Sequence, residues 1–169
     1  MSLPRSVGKP MGDAILQLLL PLKTTLGLVR LGWLRNMSDP VTSYPTNPYR
    51  QCPRMLLRYY TAEFMPGPPR GGTVQGTNYT YSIIYQRRQN PGEEHQELLV
   101  NESELIANFF SENSWQPYLL QSVSGYDLIS AVPQITYHPE LRHEFDDPDL
   151  RVSVCEVVVK VEGRISVCQ

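Results

Sequence analysis

Residues 79–86 and 101–112 limit what this chain can fold into more than any other part of it. Tyr79, Tyr81, Ile83 and Tyr85 alternate with Thr80, Ser82, Ile84 and Gln86, and a period of two is the pattern of a strand. Asn101 then precedes an apolar run with Glu104 three positions on. That is the reciprocal pairing which satisfies free N–H groups at a helix start. Leu105, Ile106, Phe109 and Phe110 follow at helical spacing, which predicts a helix over 101–112. A strand and a helix so close together, each with an apolar side, must bury those sides against one another or against further strands.

The chain beyond them supplies those strands. Residues 118–123 and 126–132 read as a pair joined at Ser124-Gly125, and residues 135–137 as a short extended piece between Pro133 and Pro139. Residues 152–161 and 165–168 read as a final hairpin around Glu162-Gly163. The predicted class is α+β, a small antiparallel sheet with one packed helix occupying 77–169. A length of 169 residues suits one domain with a real core and leaves little for a second.

Residues 1–36 are expected to form a separate amphipathic helical segment. Residues 14–34 are the most hydrophobic stretch, and as one helix would be roughly 31 Å long, about the thickness of a bilayer core. Lys23 near its middle opposes spanning, at ~2.5–3.5 kcal/mol on insertion, and Pro21 fits better as the first residue of a new helix. From Pro21 onward Leu22, Leu26, Val29 and Trp33 share one stripe, while Lys23, Gly27 and Arg30 share the next. This pattern suits a helix lying at a membrane interface or against a partner, with Leu22, Lys23, Leu26, Val29, Arg30 and Trp33 as the contact residues. Packing on the protein's own core and a single span are the alternatives. The same basic, acid-poor stretch resembles a secretory or a mitochondrial leader; the expectation adopted is that it stays in the mature protein.

Residues 37–76 are expected to form an extended arm. Ten of the fifteen prolines precede residue 70, and Gly71, Gly72 and Gly76 follow them. Only residues 54–64 interrupt the pattern, as a short helix or strand with Leu56, Leu57, Tyr59 and Tyr60 available to bury. An ordered arm of this composition needs a surface to lie on, because nothing internal offsets its ordering entropy.

The chemistry-bearing residues are sparse. The formal charge of −2 divides into +4 over residues 1–36 and −6 over the rest, an acidic body ill-suited to wrapping nucleic acid. Arg87-Arg88 beside the tyrosines of 79–85 is read as core and surface rather than as an RNA platform. His138, His143, Glu144, Asp146 and Asp147 are the one cluster with metal-ligand chemistry, but their spacing fits neither a zincin helix nor an EF-hand loop, so a solvated acidic loop is expected. Cys52, Cys155 and Cys168 show no CxxC spacing. Buried free thiols are expected, with a Cys155–Cys168 bridge as the alternative. The glycines at 71–76 lack the Lys-Ser/Thr and helix of a phosphate loop, and no hydrolase, zincin, dinucleotide or kinase motif occurs. Three N-x-Ser/Thr sequons, at Asn36, Asn78 and Asn101, read as coincidences, since Asn101 caps a helix and Asn78 opens a core strand.

Together these readings exclude most known catalytic machinery and imply no cofactor. The expected function is that of a non-catalytic accessory subunit of a larger, membrane-associated complex, of mitochondrial respiratory type. It would be assembled through the N-terminal helix and the proline-rich arm onto other protein subunits and a membrane surface. The alternative is a soluble or secreted binding domain with an N-terminal targeting segment.

Overall fold

The computed structural model describes residues 7–34, 52–65, 74–88, 94–110, 123–137, 142–143 and 151–166. They comprise helix α1 (Gly8–Thr25), strands β1 (Arg30–Trp33), β2 (Arg54–Phe64) and β3 (Val74–Arg88), helix α2 (His95–Asn108), and strands β4 (Tyr126–Tyr137), β5 (Arg142–His143) and β6 (Arg151–Ser166). The fold is a mixed α+β one. A single sheet runs in the order β1-β2-β3-β6-β4, with β5 paired to the start of β6.

Met11, Ile15, Leu18, Leu19 and Leu22 recur three or four residues apart along α1, and all five are buried to 1% exposure or less. These five side chains are used on this protein's own sheet, and of the stripe read from Pro21 onward Leu22 joins them while Val29 stays exposed. Pro21 lies inside α1 rather than opening a second helix. Burial of Leu18, Leu19 and Leu22 on either side holds the turn that loses its N–H bond there. The helix ends because Gly27 takes φ of +60°. The Gly27 N–H then donates to the Thr24 carbonyl and the Leu28 N–H to the Lys23 carbonyl, the paired bonds of a Schellman cap. Hence no helix continues to residue 34, and Arg30–Trp33 is a strand.

That strand makes the sheet mixed rather than purely antiparallel. β1 runs parallel to β2, with Arg30 opposite Arg54 and Trp33 opposite Leu57. Residues 54–64, placed by sequence within an extended arm, form the second strand of the sheet, antiparallel to β3. The rest of the arm, 37–51 and 66–73, lies outside the described residues, as does 118–122 of the expected strand there.

The longest pairing is β3 with β6, from Val74 opposite Ser166 to Arg88 opposite Val152. Strand β6 passes straight through Glu162-Gly163, so the predicted terminal hairpin does not form. Gly163 is needed for space: a Cβ there would lie 2.4 Å from the Tyr126 ring and 2.6 Å from the Asp127 carbonyl oxygen. Pro133 sits within β4. Its missing N–H is tolerated because β4 is the last strand in the order given above.

One face of the sheet carries Met55, Leu57, Tyr81, Ile83, Tyr85, Cys155, Val157, Val159 and Val161, all buried with the inner residues of both helices. Alternation puts Leu56, Ile84 and Val154 on the other face, in a smaller cluster with Cys52. Helix α2 starts at His95, not at 101, so Asn101 lies inside it and Glu94 occupies the cap without a side-chain bond. By residue 101 the backbone N–H groups already have partners one turn back, and a side-chain cap has nothing to satisfy. What seats α2 is Leu99, Ser103 and Ile106 together with Glu102, which accepts from Tyr85 Oη at 2.7 Å and Arg87 Nε at 3.1 Å.

Candidate interaction surface on strand β2

The residues expected to meet a membrane or partner do not share one face. Leu22 is buried, Leu26 and Trp33 pack against the core, and Arg30 Nη2 donates to the Trp33 carbonyl at 3.3 Å. Val29 is 52% exposed and Lys23 is exposed. Trp33 is held from α1: its Nε1 donates to Asp13 Oδ1 at 2.8 Å, and Lys9 Nζ bonds the other Asp13 oxygen at 2.6 Å. The bonds from Lys9 and Trp33 hold the Asp13 carboxyl below its ordinary value, and the bond to Asp13 raises the Lys9 ammonium.

Exposed large apolar side chains occur on β4, at Ile129 and Val132, and in the longest run along β2. Strand β1 accompanies it only as far as Leu57, where Leu34 N–H donates to the Leu57 carbonyl at 2.8 Å. Beyond that point Tyr59, Tyr60, Phe64 and Met65 are each more than half exposed. Of the four side chains that the sequence offers for burial here, Leu56 and Leu57 are buried and Tyr59 and Tyr60 are exposed. The register slips between Tyr59 and Thr61, a bulge of the kind that re-aims side chains at sheet edges.

A row of rings supports this stretch from behind. Trp33 and Tyr59 have centroids 4.8 Å apart, Tyr59 and Tyr81 5.6 Å, Phe64 and Tyr79 6.3 Å, and Tyr79 and Tyr126 5.9 Å. Two hydroxyls anchor the row, Tyr81 Oη donating to the Gly8 carbonyl at 2.5 Å and Tyr126 Oη to the Thr77 carbonyl at 2.8 Å. Burial pushes both phenols well above their ordinary value, so they remain neutral donors. The exposed side chains thus stand on a fixed base.

The opposite face of the same strands sets polar side chains around the small Leu56, Ile84 and Val154 cluster. Arg54 is fully buried and donates from Nε to Gln86 Oε1. Arg58 Nη2 donates to Glu156 Oε1 at 2.8 Å, across β3 from β2 to β6. Arg58 stands opposite Ser82 in the ladder, and both Arg58 Nε and Ser82 Oγ are buried without a hydrogen-bond partner. Neither residue was singled out from the sequence. The available signal was Arg54 and Arg58 at an even spacing within an apolar strand, which places them on one side.

His138, Glu144, Asp146 and Asp147 lie outside the described residues, and His143 is placed in β5 by its backbone alone. Among the described residues no group of three His, Cys, Asp or Glu side chains could hold a metal ion. Cys52 and Cys155 are buried free thiols, and burial pushes Cys155 up to about 12. Cys168 lies outside the described residues. Tyr85 Oη and Arg87 Nε both donate to Glu102. Among the described residues no helix is long and apolar enough to cross a membrane. No family model matches the chain, and no curated protein is significantly similar to it.

Proposed function

We propose that this chain is a non-catalytic structural subunit that joins a larger protein assembly through the C-terminal half of β2. The observation that carries this reading is the exposed run of Tyr59, Tyr60, Phe64 and Met65 on a strand that outruns β1. Large apolar side chains grouped at a sheet edge are costly in water and prone to pairing with another chain. Tyrosine on a rigid base is the residue type that dominates interface energetics when buried by a partner. The apolar stripe of α1 is used internally, so the proposal rests on β2 and not on the N-terminal helix. A membrane-bound, mitochondrial setting is kept as the first place to look, reached through partner subunits.

The test is a gentle-detergent extract of native membranes run under native conditions, with the protein followed by mass spectrometry of co-migrating chains. Migration far above 19.3 kDa is expected, and a Tyr60→Ser/Phe64→Ser variant that keeps its fold by circular dichroism should shift to the monomer position. A wild-type chain that migrates as a monomer in detergent-free and detergent extracts alike overturns the proposal.

A further inference from the structure

Backbone bonds fix which groups β2 turns outward beyond Leu57. The Leu57 carbonyl faces away from β3, where it accepts from Leu34 N–H, whereas Met65 N–H faces β3 and donates to the Gly76 carbonyl at 2.8 Å. The bulge between Tyr59 and Thr61 lies between these two bonds and shifts the alternation by one residue. Thr61, Glu63 and Met65 therefore direct their backbone groups at β3, while Ala62 and Phe64 turn N–H and C=O to the outer edge. Among the described residues no strand lies beside them there. Side chains alternate as well. Ala62 pairs with Tyr79 and Phe64 with Thr77, so both stand on the face that carries Tyr59 and Tyr81. Ala62, small and exposed, separates the exposed rings of Tyr59 and Phe64. Glu63 is exposed on the opposite face. Its charged neighbours on that face are matched already, Arg58 to Glu156 at 2.8 Å, Lys160 to Glu162 at 3.3 Å and Arg54 to Gln86. Among the described residues Glu63 has no ion-pair partner.

We infer that the outer edge at Ala62–Phe64 takes an extended segment of another protein as an added strand, one in which a lysine or arginine stands between two apolar residues. The inference rests on the assembly reading and names the chemistry of the partner. The outward N–H and C=O groups of Ala62 and Phe64 supply main-chain bonds, the usual source of affinity in strand addition. An apolar residue set opposite Ala62 then fits between the Tyr59 and Phe64 rings. The next residue of the added strand falls on the opposite face, beside the Glu63 carboxylate. A cation is favoured at that position and an acidic side chain is repelled. The same rule disfavours a second copy of this chain. Antiparallel pairing of Ala62 with Phe64 of another copy sets Glu63 directly against its own twin.

Amide hydrogen exchange of the isolated full chain tests the edge itself. Ala62 and Phe64 N–H should exchange at close to free-peptide rates while Glu63 and Met65 N–H are slowed. Slowed exchange at Ala62 and Phe64 means that another part of this chain, or a second copy, already pairs there, and it overturns the inference. The probes for the partner chemistry are two end-blocked peptides, Thr-Val-Lys-Val-Thr and Thr-Val-Glu-Val-Thr, titrated at low salt and followed in proton–nitrogen correlation spectra. The lysine peptide should shift the Ala62 and Phe64 amides saturably and bind about three-fold more tightly than the glutamate peptide. Glu63→Lys should invert that order, and Glu63→Gln should erase it. An unsaturable shift, equal affinity of the two peptides for the wild-type chain, or an order that survives Glu63→Lys overturns the inference. None of these outcomes touches the assembly reading, which the Tyr60→Ser/Phe64→Ser variant decides separately.

Discussion

Replacing Gly12 by alanine sets two opposed effects against each other, and the structure predicts which is larger. In an ordinary helix interior this change stabilises by about 1 kcal/mol, because glycine loses the most backbone entropy on folding. In α1 a Cβ at residue 12 would lie 2.1 Å from Cη2 and 2.2 Å from Cζ2 of Trp33. The indole must retreat by more than an ångström, and its movement breaks the 2.8 Å bond from Nε1 to Asp13. A hydrogen bond to a charged acceptor contributes about 1.5–3 kcal/mol. The 4.8 Å ring contact with Tyr59 adds about 0.5–1.5 kcal/mol. Set against the helix gain, the net loss is about 1–3 kcal/mol, with a fall in melting temperature of roughly 3–10 °C.

Urea unfolding followed by far-ultraviolet circular dichroism measures that loss. A Trp33→Leu background makes the argument sharper, because without the indole its clash and both its contacts are gone and only the Tyr81 Cε1 approach at 3.3 Å remains. There Gly12→Ala should be neutral or stabilising by up to about 1 kcal/mol, a coupling that the double-mutant cycle isolates. Two results refute the reasoning: a stabilised Gly12→Ala single variant, or the same loss in both backgrounds.

Two further predictions follow from the same contacts. Gly163→Ala should cost about 2–3 kcal/mol in urea unfolding, because the new Cβ meets the Tyr126 ring and the Asp127 carbonyl oxygen; a loss under about 1 kcal/mol would mean that β4 can shift away freely. Asp13 is held below its ordinary value in the folded chain, so its contribution is present above the unfolded carboxylate value and disappears as pH falls through the lower, folded one. Asp13→Asn should flatten that acid limb of the stability curve and leave the neutral region parallel to wild type, measured by urea midpoints from pH 2 to 7; an unchanged acid limb removes Asp13 from the account.

The alternating tyrosines of β3 and the apolar run of α2 were enough to give the class, because period and burial agree at both. Three features were less legible, each for a stated physical reason. Glu162-Gly163 carries a turn signal, yet glycine is also required where a ring crosses a strand, and only the position of Tyr126 reveals that. Pro133 reads as a strand boundary, but a strand at the end of the order tolerates a missing N–H, and strand order is a property of the whole sheet. Gly27 was placed on a helical stripe by spacing, whereas its φ of +60° makes it a terminator. Pattern alone could not choose between membrane and core for the stripe of α1, since both accept an apolar surface of the same shape.

The mismatch of strand lengths explains why the candidate surface falls where it does. β3 and β6 pair over the whole length from Val74 to Arg88, and β2 follows β3 from Arg54 to Phe64. β1 covers only the first four residues of β2, because the Schellman cap at Gly27 leaves few residues between α1 and Trp33, and Trp33 is fixed to Asp13. The aromatic row behind Tyr59 and Phe64 keeps the overhang straight at the cost of exposing its outer rings. A sheet that needed only to be stable could have ended β2 at Leu57 and carried polar residues beyond it. Retaining four large apolar side chains past that point is the feature for which the proposed assembly contact accounts.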